Sequence, residues 1–145
     1  MKQSTSWGIL LLMLCAVGAF SDQAGKRAPS AVAQALVDAY NAHDVEGILK
    51  TYDANSVARR LPGGEVILTG HAEIRRKFET SFQRSPDARV EVVQRIVDGD
   101  FVIDKEKITG TVEGKAVERY GTVIYEIRDG RIVNEWYPRS RPASN

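Results

Sequence analysis

The chain of 145 residues has one cysteine, Cys15, and two histidines, His43 and His71. A single cysteine rules out an internal disulfide framework, and the fold has to rest on its hydrophobic core. The histidines have no partner at metal-ligand spacing, so the sequence offers no metal site. No basic block with interleaved aromatics occurs, and 20 Lys+Arg against 19 Asp+Glu leave a net charge of +1. That balance argues against nucleic acid as a partner and against an acidic, disordered tail. No serine has the setting of a nucleophile elbow, Gly63-Gly64 is not a phosphate loop, and no cofactor is implied. Internal repeats and low-complexity tracts are absent. What remains is ordinary globular composition, 43% apolar and 27% charged. The length suits one domain, able to bury about two thirds of its unfolded surface.

The first residues differ from the rest. Lys2 is the only charge before Asp22, and Trp7 to Phe20 is a run of small and apolar residues. The run is short for a membrane span of about 20 residues. A basic start, an apolar middle and a small-residue end read as a signal peptide over residues 1–21, with Val17-Gly18-Ala19 or Ala19-Phe20-Ser21 as cleavage sequences. An uncleaved anchor is the alternative. Lipidation at Cys15 is a third, though Leu14 before it fits a lipobox poorly. The expectation is export to the periplasm or the medium, with membrane contact only through an uncleaved or lipidated N-terminus. Residues 22–30 read as a flexible lead, 31–138 as the domain and 139–145 as a tail.

Within the domain, Ser30 can cap a helix over Ala31 to Ala42, with Val32, Leu36, Ala39 and Tyr40 on one face. Asp44 can cap a second, with Val45, Ile48, Leu49 and Tyr52 inward. Asp53-Ala54-Asn55 breaks it, and Pro62-Gly63-Gly64 joins two short extended runs. Gly70 opens a third helix, where Ile74, Phe78 and Phe82 are one turn apart. Strands follow at Arg89 to Val97, Phe101 to Thr109, Ala116 to Arg128 and Arg131 to Tyr137. Asp98-Gly99 and Asp129-Gly130 are hairpin dipeptides, and another turn falls near Gly110 to Gly114. Helices grouped before strands predict α+β. The long strand has to twist, Gly121 in its middle suggests a bulge or bend, and a bent sheet under helices encloses a hollow.

Four segments carry a family resemblance: AYNAHDVEGILKTYDANSV, TGHAEIRRKFE, RIVDGDFVIDKEKITG and YEIRDGRIVNEWYP. In order and spacing they resemble the SnoaL-like branch of the nuclear transport factor 2-like superfamily, over about residues 31 to 138. The resemblance implies a cystatin-like α+β cone: a strongly bent antiparallel sheet closed by three N-terminal helices around a pocket. It also implies a homodimer through the outer sheet face. Relatives include ketosteroid isomerase, limonene epoxide hydrolase and polyketide cyclases, and many members have no known activity. Lining up Asn41-Ala42-His43-Asp44 and the last hairpin puts the isomerase's tyrosine at Leu36, its base at about Arg60 and its second aspartate at about Val123. None of these can do that work, since leucine donates nothing and arginine takes no proton at neutral pH. The resemblance therefore does not extend to steroid isomerisation.

Strand parity sorts the remaining candidates. Arg119, Gly121, Val123, Tyr125 and Ile127 share the face chosen as interior. In the last strand the resemblance turns Val133, Glu135 and Tyr137 inward, whereas apolarity favours Ile132, Asn134 and Trp136. With the first set inward, Glu135 is a carboxyl in an apolar cone, suited to acid–base work. The alternative pairs it at the surface with Arg119, Arg95 or Arg131, the commoner fate of a strand charge. Tyr40 and Tyr52 face the core, where packing is the commoner role. Asp104 and Glu106 share one face of a strand, as a pocket pair or, the favoured reading, as a solvated charged face.

The expected ligand pocket is Leu36, Tyr40, Tyr52, Phe78, Val123, Tyr125, Val133 and Tyr137, holding a small hydrophobic molecule. Two functions compete. One is a binding module that does not convert its ligand. The other is an enzyme moving a proton in a small hydrophobic substrate (isomerase, cyclase or hydrolase type), with Glu135 as base and Tyr40 or Tyr125 as donor. Assembly alone, through an outer face carrying Trp136 or Tyr120, is the third and weakest.

Overall fold

The computed structural model describes residues 27–139. The expected signal peptide and cleavage sequences, Cys15, most of the expected lead and the tail after Arg139 lie outside the described residues. Three helices and six strands make up the rest: α1 (Pro29–Asn41), α2 (Val45–Thr51), β1 (Tyr52–Leu61), β2 (Glu65–Thr69), α3 (Gly70–Arg84), β3 (Arg89–Asp98), β4 (Phe101–Val112), β5 (Lys115–Arg128) and β6 (Arg131–Pro138). Among the described residues no helix is long and apolar enough to cross a membrane.

Local chemistry sets the helix ends. α1 begins at Pro29 rather than after Ser30, and no side chain caps it. Proline at the first helical position needs no N–H partner and brings a helical φ, so Ser30 falls inside the helix. Asp44 caps α2 as the sequence implies, accepting from the Gly47 N–H at 2.9 Å. A side chain at 47 would collide with that carboxylate, because its Cβ would sit 2.4 Å from Asp44 Oδ2. α2 ends at Thr51 and β1 starts at once, so Asp53-Ala54-Asn55 lies in a strand and not in a break.

The strands form one curved, mixed sheet in the order β2-β1-β6-β5-β4-β3. The meander β3 to β6 is antiparallel, as its hairpin dipeptides require. Glu113 (φ 52) with Gly114 (φ 75), and Asp129 (φ 51) with Gly130 (φ 73), take the left-handed backbone of tight two-residue turns. One pairing departs from the antiparallel expectation: β1 runs parallel to β6. The β1–β2 hairpin covers the free edge of β6, and the intervening chain is long enough for the crossover that a parallel pair demands. Register shifts between Ala58 and Arg59, between Val92 and Gln94, and between Glu126 and Ile127 bend the sheet.

The helices cover the concave face. Val32, Leu36, Ile48, Leu49, Ile74 and Phe78 pack there against Val102, Val123, Tyr125, Ile127 and Ile132. Two glycines differ from their expected roles. Gly121 marks no bulge, because β4 and β5 pair without a shift through Glu106↔Gly121. Gly110 is no turn residue either; it lies inside β4 opposite Val117. A Cβ there would stand 2.3 Å from Ser85 Oγ and 3.1 Å from Ala88 Cα. Ser85 cannot yield freely, since its hydroxyl donates to Asp87 and accepts the Thr111 N–H. Gly110→Val is expected to lower stability by about 1–3 kcal/mol through overpacking. The measurement is the urea midpoint at unchanged slope; a midpoint equal to the parent's would refute the close-approach argument.

Candidate functional site

Between the helices and the inner sheet face lies a chamber of about 140 Å³. α1 contributes Leu36, Val37 and Tyr40, and α3 contributes Lys77, Phe78 and Ser81. Tyr52 enters at the start of β1. The sheet adds Val90, Glu106, Ile108, Arg119, Tyr125, Glu135 and Tyr137. A second chamber of about 390 Å³ adjoins the first and shares Tyr40, Ser81, Ile108 and Arg119 with it.

Glu135 is 3% exposed and points inward. It accepts two hydrogen bonds on Oε1, from Tyr137 at 2.5 Å and from Tyr52 at 3.3 Å. Lys77 Nζ donates to the Tyr137 hydroxyl at 2.6 Å, and its ammonium lies over the rings of Phe78 and Tyr137. The surface pairing of Glu135 with an arginine does not occur. Neither strict parity of β6 holds: Ile132, at 0% exposure, is also buried. Ile127 pairs with Ile132 and Glu126 with Asn134, so Val133 is the extra residue of a bulge. The bulge turns Ile132 and Glu135 to the same side, which a simple alternation cannot do.

Glu106 is the second carboxyl. The solvated face expected for Asp104 and Glu106 is corrected here, because both residues are on the inner side. β4 pairs Asp104 with Val123 and Glu106 with Gly121, both on the inward face of β5. Asp104 is fully buried and held by Arg95 through two bonds of 2.7 Å. Glu106 has no such cation. Tyr125 donates to its Oε1 at 3.3 Å. Burial, reinforced by the charges of Asp104 and Glu135, pushes the Glu106 carboxyl up to about 7. The open space where Gly121 would carry a Cβ lies opposite it. Burial first, and the nearby carboxylates second, hold the hydroxyls of Tyr52, Tyr125 and Tyr137 well above the usual phenol range. They remain protonated donors throughout neutral pH. Burial raises Tyr40 as well, opposed by the charge of Arg119.

Of the residues expected in the pocket, Leu36, Tyr40, Tyr52, Phe78, Tyr125 and Tyr137 line the chamber together with Glu135. Val123 is buried in the adjacent core and Val133 is half-buried at the bulge; neither lines it. The wall is more polar than the hydrocarbon hollow expected, since its carboxyls are satisfied by tyrosines and not excluded. Lys77 and Ser81 escaped the sequence reading. Their spacing of four on α3, flanking Phe78, is the one available signal, and it is weak. Both histidines are structural. His43 Nε2 donates to the Ala88 carbonyl at 2.9 Å with its ring stacked on Phe82, and His71 Nε2 donates to the Tyr52 carbonyl at 3.1 Å. Among the described residues no group of His, Cys, Asp or Glu is arranged to hold a metal ion.

Comparison with known proteins agrees with this geometry. The family described as SnoaL-like domain matches residues 33–135. No functionally curated protein matches the sequence. Similar solved structures include an uncharacterized cystatin fold protein from Novosphingobium aromaticivorans (TM-score 0.69, 20% identity, 78% of this chain and 99% of that one). IdmH, a proposed polyketide cyclase from Streptomyces antibioticus, superposes with TM-score 0.68 at 21% identity, over 77% of this chain and 91% of its own. An LEH-like epoxide hydrolase of M. tuberculosis does so with TM-score 0.65 at 16% identity, over 76% of this chain and 80% of its own.

Proposed function

The chain belongs to the SnoaL-like domain family, and from the residues inside that fold we propose that it is an enzyme moving a proton within a small, largely apolar carbonyl compound. Glu106 is the acid–base group. The observation that carries this reading is a chamber-lining carboxyl raised to about 7, with an ammonium, Lys77, in the same wall. A base titrating near the working pH combines availability with driving force. As carboxylate, Glu106 takes a proton from the carbon next to the substrate carbonyl. The negative charge that develops on the carbonyl oxygen falls to Lys77, which has donors left beyond the one used on Tyr137. Glu106, now protonated, returns the proton at the same or another carbon. Glu135, already accepting from two tyrosines, positions Tyr137 and through it Lys77.

A deep chamber of about 140 Å³ suits a single-ring body; an apolar cavity of similar volume admits benzene. The test is deuterium exchange at the α-carbons of cyclohexanone, followed by NMR with the full chain. Catalysed exchange is expected to rise with one ionisation near pH 7 and to fall about 100-fold or more in Glu106→Gln. Exchange no faster than with heat-denatured protein, or equal in Glu106→Gln, would sink the reading. A binder that does not turn over its ligand is the second reading, favoured by the tyrosine hydroxyls already closing on the two carboxyls. It requires ligand affinity without any exchange.

The proposal includes self-association through the convex sheet face. Pairings Ile96↔Ile103, Ile103↔Ile124 and Ile124↔Trp136 lay one apolar row across four strands, with Phe101 beside Trp136. Sedimentation is expected to show a dimer that Ile124→Lys converts to monomer; a monomeric parent at high concentration removes this part.

A further inference from the structure

Resting on the function proposed above, we propose that the outer chamber is a carboxylate subsite, so that the ligand is an amphipathic acid whose ring fills the deep chamber and whose carboxylate lies between Arg119 and Arg84. The two arginines come from different elements, β5 and the last turn of α3, and both line the outer chamber. Five other arginines are paired with acids, Arg60 with Glu65, Arg75 with Glu46, Arg76 with Glu73, Arg95 with Asp104 and Arg128 with Glu126, and Arg59, Arg89 and Arg131 donate to amide or carbonyl oxygens. Arg84 and Arg119 make no ion pair or hydrogen bond among the described residues. The one acid in the outer wall, Glu118, is held by Lys107 at 3.0 Å. The outer chamber therefore presents two uncommitted guanidiniums and no uncommitted carboxylate.

The two chambers have opposite character, which sets the direction of binding. The deep one holds Glu106 and Glu135 behind aromatic walls against one ammonium, Lys77, already bound to Tyr137, so a carboxylate there would meet two like groups. The outer one shares Arg119 with it, so the boundary between them is cationic. An apolar ring gains by entering the deep chamber, and a carboxylate gains by staying outside it. Guanidinium forks suit planar carboxylates, and Ser81 and Thr109 offer hydroxyl donors in the same wall.

The experiment is calorimetric titration of the full chain with 3-phenylpropionate and 4-phenylbutyrate, each against its carboxamide. The acids are expected to bind about 10- to 100-fold tighter than the amides, the span that charge-assisted hydrogen bonds provide. That preference should shrink between 50 mM and 500 mM NaCl and collapse in Arg84→Gln/Arg119→Gln. Acid and amide binding equally in the parent, or a preference that survives the double substitution, overturns the subsite, as does failure of both compounds to bind. The function proposal is read separately, from ketone exchange and Glu106→Gln. Exchange without acid preference removes the subsite and leaves the function. Acid preference without exchange leaves the subsite on a chamber that only binds.

Discussion

Glu106→Gln is expected to be more stable than the parent at pH 8, by up to about 3 kcal/mol, and equal to it near pH 4. The folded carboxyl binds its proton up to about 7, whereas its ordinary value is 4.5. Between those values the folded state holds more protons than the unfolded chain, so stability falls as pH rises through the window. Each pKa unit corresponds to 1.36 kcal/mol, which sets the ceiling near 3 kcal/mol once Glu106 is ionised in both states. Glutamine keeps the shape and an acceptor for the Tyr125 hydroxyl but carries no charge to desolvate or to repel Asp104 and Glu135. Urea unfolding at pH 4, 6 and 8 tests this. A variant that is less stable at pH 8, or whose difference from the parent is the same at every pH, would mean that Glu106 is not a strained carboxylate. Gain of stability together with loss of α-proton exchange would mark the residue as held for chemistry rather than for folding.

The sequence carried most of the architecture because its signals are local. Asp44 before an apolar face, Ile74 and Phe78 one turn apart, and Asp129-Gly130 between alternating runs each specify an element through nearest neighbours. The parallel pairing of β1 with β6 had no such signal, since it joins residues about eighty positions apart. The site was legible in proportion to its distance from sheet irregularities. Tyr125 and Val123 follow unbroken alternation on β5, so their inward side could be read. Glu135 lies past the Val133 bulge, where alternation misleads, and only family likeness turned it inward. Glu106 was misjudged for another reason. Acids alternating with Lys105 and Lys107 resemble a solvated strand, and what reverses this is the register with β5 and the burial of Asp104 beneath Arg95, both tertiary facts. Lys77 has no sequence mark at all, because a lysine beside Phe78 on a helix is ordinarily solvated, and only the curl of β6 brings Tyr137 to it.

Arg95→Met is expected to destabilise the fold by about 3–5 kcal/mol, the usual result of stranding one member of a buried ion pair. Asp104 is 0% exposed, and both its oxygens are held by Arg95 at 2.7 Å. The same guanidinium reaches across to α1, donating to the Ser30 carbonyl at 3.3 Å and to Gln34 Oε1 at 3.1 Å. Its loss therefore leaves a desolvated carboxylate and loosens the helix that carries Leu36 and Tyr40 into the chamber. Replacing both partners, as in Arg95→Met/Asp104→Leu, is expected to restore most of the stability, because an apolar pair leaves nothing unsatisfied. A double-mutant cycle in urea measures the coupling. A single substitution costing less than about 1 kcal/mol would show that water or another cation reaches Asp104. Asp104→Asn, which keeps Arg95 and its opposing charge, bears on function. Asp104 is one of the charges that keep the Glu106 carboxyl raised. Removing it should move the pH midpoint of α-proton exchange downward, whereas a purely structural pair would change the exchange rate without moving that midpoint.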